Sequence, residues 1–312
     1  MKKWLLIIIG FYLVTGALLI LFAKDPQSEF EVLSIKKTQS RLMVPEEMLT
    51  FDFYVSDSEC FFIDSENVID ASLSDEDVEI TIELASISVE NTPTAYLDKL
   101  YYPCTFSFSF TEIVLSGGKL DIKDGICRLT YINEAEFELP IGDLCLYFSD
   151  VSQILHLDFT RLYAVVGEYE NKEYMSGIVI GLEGFTIGDI PITRIDTGIS
   201  IVYLDVSKAK PLEQAISYTK DIKELLGVDT YCPIQEYLPD NQSAFELNGS
   251  ELVFFPMKYT ERIIDLRRFY LEIEYEYLGQ SYSFVIDDFV YYQKNPFQEV
   301  DADEVSRHIY KY

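Results

Sequence analysis

Tryptophan occurs once in the 312 residues, at Trp4, and histidine twice, at His156 and His308. Two imidazoles and five cysteines without a C-x-x-C pair make a tetrahedral zinc site a poor expectation. Basic residues are also scarce, with 24 Lys and Arg against 53 Asp and Glu, a net charge of −29. Such a surface repels phosphate backbones, so nucleic acid is excluded as a partner class. There is no glycine-rich phosphate loop, and neither histidine lies in a nucleophile motif. No cofactor or metal site is expected. Among so many acidic side chains no pair stands out for glycoside cleavage. The acidity does not signal disorder, because 23 Tyr and 21 Phe supply ample apolar surface for a folded core.

What the sequence does hold is one uncharged run, Trp4–Ala23, behind Lys2 and Lys3. At about 1.5 Å rise per residue, twenty residues span roughly 30 Å, the depth of a bilayer hydrocarbon core. Residues 1–23 are therefore read as a transmembrane signal anchor with a short basic tail, and 24–28 as a spacer. The competing reading is a cleaved signal peptide. Cleavage after Ala23 would put Leu21 at the −3 position, where a small residue is wanted, and no cysteine follows to accept a lipid. The basic tail favours a cytoplasmic N-terminus, which places residues 24–312 outside the cytoplasm at the cell membrane.

Beyond the spacer the pattern is of strands. Leu49, Phe51, Phe53 and Val55 alternate with polar positions, as do Val78, Ile80, Ile82 and Leu84, and Phe106, Phe108 and Phe110. A period of two gives each strand one apolar and one polar face, as in antiparallel sheets packed into sandwiches. A faint internal repeat relates Leu129–Phe148 to Ile273–Tyr292, with Tyr131 aligned on Tyr275 and Phe137, Leu139 and Ile141 on Tyr282, Phe284 and Ile286. The expected fold is mainly β: two tandem antiparallel, Ig-like β-sandwich domains at 29–149 and 150–295. One amphipathic helix is expected at 211–226, opened by Pro211 and stopped by Gly227. Residues 296–312 read as a polar tail with a short helix near Asp303–Tyr310. Of the cysteines, Cys127 and Cys145 share an expected hairpin and form the candidate disulfide, against a reading of all as buried free thiols.

The sharpest local motif is Asp196-Thr197-Gly198, set between β-type runs within Phe185–Asp205. This stretch resembles the active-site loop of aspartic proteases, in which two such aspartates share a proton and activate water. The resemblance implies a catalytic Asp196 held by Thr197 and Gly198. Only one Asp-Ser/Thr-Gly triplet exists, so catalysis would need a homodimer. Ile199 and Arg194 stand where that family favours a small and an apolar residue. The same triplet is also an ordinary hairpin turn. Ser74–Glu79 and Pro239–Ser243 are acidic or polar turns without the ligand spacing of a calcium loop. Tyr101-Tyr102 and Tyr291-Tyr292 could stack sugars at strand edges. The functional expectation is a membrane-anchored, non-catalytic β protein that binds or assembles at the cell envelope, with an envelope protein or polysaccharide as partner. The alternatives are an anchored hydrolase using Asp196 and a tyrosine-based carbohydrate-binding module.

Overall fold

In the computed structural model the described residues are 29–44, 47–110, 118–148, 156–170, 172–185, 188–212, 222–228, 231–235, 243–263, 266, 268–290, 297 and 304–311. The expected membrane segment and spacer, 1–28, lie outside them. Among the described residues no helix is long and apolar enough to cross a membrane.

The protein is mainly β. In chain order the strands are β1 (Glu29–Ile35), β2 (Gln39–Met43), β3 (Leu49–Val55), β4 (Val68–Ser74), β5 (Glu79–Val89), β6 (Thr94–Tyr96), β7 (Lys99–Phe110), β8 (Gly118–Tyr131) and β9 (Glu136–Phe148). There follow β10 (Leu157–Tyr169), β11 (Lys172–Gly184), β12 (Ile190–Asp196), β13 (Val202–Leu204), β14 (Lys210–Leu212), a short helix α1 (Ile222–Leu226), β15 (Phe245–Leu247), β16 (Ser250–Tyr259), β17 (Arg268–Tyr277), β18 (Gln280–Val290) and β19 (Val305–Lys311).

Ten strands form one curled, half-barrel sheet in the order β19-β1-β3-β7-β5-β4-β8-β9-β2, with β6 paired to β7. Alternation builds its interior. Phe106 and Phe108 of β7 are fully buried, while Ser107 between them and Ser109 after them turn away. A single 3-10 turn at Phe61–Ile63 drops Phe62 into the curl, with its ring 4.9 Å from Phe137 and 5.1 Å from Phe106. The sheet curls around this aromatic core, as twist accumulates over neighbouring long strands such as β7, β8 and β9.

The second half has two smaller antiparallel sheets, β10-β11-β16-β13 with β14 on β16, and β15-β12-β17-β18. One core joins them: Ile178, Ile180 and Phe255 of the first meet Ile192, Leu271 and Ile273 of the second. The two halves of the internal repeat are both hairpins, β8–β9 and β17–β18. Their turns differ, with four residues between Tyr131 and Glu136 and two between Tyr277 and Gln280. The inward rows nonetheless agree: Phe137, Leu139 and Ile141 are buried, as are Phe284 and Ile286.

Three expectations need correction. Pro211 and Leu212 lie in β14, paired with Val253 and Leu252, not in a helix. Proline lacks an N–H, and an edge strand is where a sheet tolerates that. Within the described residues the helix is confined to Ile222–Leu226, and Ile222 and Leu225 rest on Val165, Val179 and Phe254. Residues 305–311 are a strand rather than a helix, antiparallel to β1 from Glu29↔Lys311 to Ile35↔Val305. Not every pairing is antiparallel: β2 runs parallel to β9, with Gln39 opposite Leu144 and Met43 opposite Phe148.

All five residues of β2 are buried, because the strand is covered on both sides. One flank bonds β9. The other meets β17 through a Thr38–Leu266 bridge and the side chain of Ser40. β2 is thus the seam between the halves.

Candidate functional site

The Asp196-Thr197-Gly198 loop closes at this seam. β12 carries the chain to Asp196, where it pairs with Glu272 of β17. The chain then turns sharply through Gly198, whose φ is +71°. Thr197 is fully buried. Its hydroxyl donates to the Val202 carbonyl at 3.3 Å and accepts from the Ile199 amide at 3.3 Å. Its carbonyl accepts from the Ser40 hydroxyl, and Ser40 Oγ in turn accepts from the Tyr270 amide at 3.2 Å. One buried serine thereby ties the loop to β2 and to β17. Beside it Glu47 lies 3.9 Å from the guanidinium of buried Arg41 in the first half and 3.5 Å from that of Arg268 in the second.

Both oxygens of Asp196 have partners. Oδ1 accepts the Gly198 amide at 2.7 Å, which closes an Asx turn. Oδ2 accepts from Arg194 at 2.7 Å, and the same guanidinium reaches Glu274 at 3.4 Å. A proton-sharing pair needs two carboxylates within about 3 Å of each other. Here the neighbour of the Asp196 carboxylate is a cation. The intrusive Arg194 of the motif is therefore the partner of the aspartate it precedes, and the turn is a brace for the seam.

The other sequence candidates are dispersed. Asp75 of the Ser74–Glu79 turn accepts from the amides of Lys123 (3.0 Å), Asp77 (2.8 Å) and Val78 (2.7 Å), which, the Lys123 amide foremost, hold its carboxyl below the usual range. Of Pro239–Ser243 only Ser243 is described, and Tyr291-Tyr292 lie outside the described residues. Tyr101 faces inward and donates to Glu31 at 2.6 Å, and Tyr102 beside it is half-buried. His156 leans on Tyr277 in the second half, and His308 lies on β19 in the first, where burial lowers its pKa. Among the described residues no three His, Cys, Asp or Glu side chains gather as a metal could use.

The five cysteines are free. The β8–β9 register sets Cys127 opposite Leu139 and Cys145 opposite Asp121, so the candidate pair sits at different levels of the hairpin. Burial pushes the Cys60 thiol up to about 11 and Cys145 up to about 12, and raises Cys104 and Cys127 as well. Cys232 alone is exposed. A disulfide-exchange reagent at neutral pH should therefore titrate one thiol rapidly in the native protein and five after denaturation. Two fast thiols in the native protein would contradict this packing.

One cluster escaped the sequence reading. Glu31 on β1 is 5% exposed yet charged. Arg307 of β19 grips it with two nitrogens, Nε at 3.0 Å and Nη2 at 2.6 Å. Lys99 and Tyr101 of β7 complete the ring. The Arg307 bonds above all hold the Glu31 carboxyl down to about 2, against the opposing effect of burial. The available signal was the alternation of Val305, Arg307 and Ile309 with Ser306 and His308, a strand pattern inside the stretch expected to be a polar tail with a short helix.

The chain matches no known family model and no curated protein.

Proposed function

We propose that this chain is an anchored, extracytoplasmic β protein with a non-catalytic binding or assembly role. The observation that carries this is the uncharged run 4–23 behind two lysines, set before a strand-built, strongly acidic body. The disposition of Asp196 supports the non-catalytic part, since its two oxygens are engaged by its own turn and by Arg194. The finer fold reading, two tandem Ig-like sandwiches divided near residue 149, draws support from the two main cores. One runs from Phe30 to Phe148 and the other from Leu157 to Ile286. On that reading β19 belongs with the first unit, whose sheet it completes. An envelope protein or polysaccharide is the partner class, because an acidic surface disfavours nucleic acid and anionic lipid.

Two measurements test this. In intact cells, added protease should remove the body, and alkaline extraction should leave the chain in the membrane. Protection in intact cells with loss after permeabilisation would overturn the topology. Asp196→Asn should change stability by at most about 1 kcal/mol, because the Asn oxygen can still accept the Gly198 amide and Arg194 is largely in solvent. It should leave any peptidase signal of the preparation unchanged. A peptidase activity lost in this variant, with folding intact, would favour the hydrolase instead.

A further inference from the structure

The β6–β7 hairpin ends in a two-residue turn, Leu97-Asp98, with Tyr96 paired to Lys99. Leu97 has φ +52° at the first central position, which such hairpins usually give to glycine. A bulky side chain is costly there. Leu97 is nevertheless 75% exposed and gains no core packing in return, and Leu100 beside it is 56% exposed. Tyr96 before the pair is half-buried and Tyr101 after it faces inward, so the tip shows solvent two leucines. Leu278, at φ +50° on the β17–β18 turn, is as strained and as exposed, so it is position in the fold that sets the β6–β7 tip apart.

Register shows where this tip lies. Val55, the last residue of β3, pairs with Val32 of β1 on one side and Tyr102 of β7 on the other. Glu29 is three residues beyond that level and Leu97-Asp98 four to five, so the tip stands about 3–7 Å past Glu29 at ~3.3 Å per residue. From Glu29 back to Ala23 there are six Cα steps, a reach of at most ~22 Å. The hairpin tip is thus confined to the end of the sheet from which the apolar run departs, within a short tether of any bilayer that run occupies.

On the anchor reading proposed above, we infer that the β6–β7 hairpin makes a second membrane contact, seating Leu97 and Leu100 at headgroup depth in a lipid surface. The headgroup layer is about 5–8 Å deep on each side. Asp98 in the turn keeps the contact shallow. The acidic body selects zwitterionic over anionic lipid. The contact fixes the tilt of the body on the membrane, which a flexible spacer alone leaves free.

Trp4 is the only tryptophan and reports the anchor directly. The full chain is reconstituted in phosphatidylcholine vesicles with or without bromine on the acyl chains. A Trp4→Phe background then carries Leu97→Trp or, in ordinary strand backbone, Leu100→Trp. Leu278→Trp is the comparison, since Leu278 is 86% exposed at the tip of β17–β18. β17 starts beside β2 in the parallel sense, and β2 parallels β9, so this tip points toward the opposite end. The expected result is loss of Trp4 emission in brominated vesicles, and loss with a shift to shorter wavelength for Trp at 97 and at 100, but not at 278. Quenching of Trp4 with emission at 97 and 100 unquenched and open to acrylamide would overturn the hairpin contact and leave the anchor standing. Unquenched Trp4 would remove the anchor, and the hairpin contact with it.

Discussion

Gly198→Ala is expected to destabilise the protein by about 3 kcal/mol or more. Two costs combine. The backbone at 198 is left-handed, with φ +71°, which costs a residue with a Cβ about 1–2 kcal/mol. A Cβ built there would also fall 2.6 Å from both Cζ and the hydroxyl of Tyr270. Tyr270 has nowhere to go. It is 1% exposed, its ring lies 5.7 Å from that of Tyr147, and its hydroxyl is 3.8 Å from Cys145 Sγ. Denaturant titration of the full chain in detergent measures the loss. Combining Gly198→Ala with Tyr270→Ala separates the two costs: the steric share, about 1–2 kcal/mol, should appear as favourable coupling while the backbone share persists. A Gly198→Ala protein of unchanged midpoint would mean the turn is not locked against β17.

Glu31→Gln is expected to cost about 3 kcal/mol at neutral pH, with the loss vanishing in acid. The folded carboxyl sits at about 2 against an ordinary 4.5. A depressed carboxylate contributes stability that is fully present above pH 4.5 and is lost as pH falls through 2. A shift of this size corresponds to about 3 kcal/mol. The native and variant proteins should therefore differ at pH 7, converge between pH 4.5 and 2, and agree below that. Arg307 and Lys99 are 39% and 51% exposed, so in the variant both can turn to water. That keeps the cost at the low end for breaking a buried ion pair. Unfolding midpoints that fall in parallel with pH for both proteins would place the acid sensitivity elsewhere.

The local half of this structure was legible in the chain and the distant half was not. Alternation marked β3, β5 and β7 because each needs only one apolar face to be recognised. It could not show that β5 and β7 curl into the same sheet as β1, since curvature arises from twist accumulated over many neighbours. Nor could it show β2 parallel to β9: Gln-Ser-Arg-Leu-Met carries no alternation, and its burial on both faces comes from the second half covering it. Pro211 was read as a helix opener, and its fixed φ serves an edge strand equally well. Arg307 looked like tail polarity until its partner, 276 residues earlier, supplied the carboxylate. At the motif, Asp-Thr-Gly correctly marked a sharp turn. What the triplet does depends on Arg194, Ser40 and Tyr270, two of which belong to other strands.

The β19 ladder also has a mechanical consequence. Traction on the chain at Glu29 enters the sheet along β1, which is bonded to β3 on one flank and to β19 on the other. Load directed along the strand axis is shared in shear by two rows of hydrogen bonds at once, with the Glu31–Arg307 clamp two residues from the point of entry. Without β19, β1 would be an edge strand carrying the same load on the β3 row alone. The strand that completes the sheet therefore stiffens the place where any tether would pull.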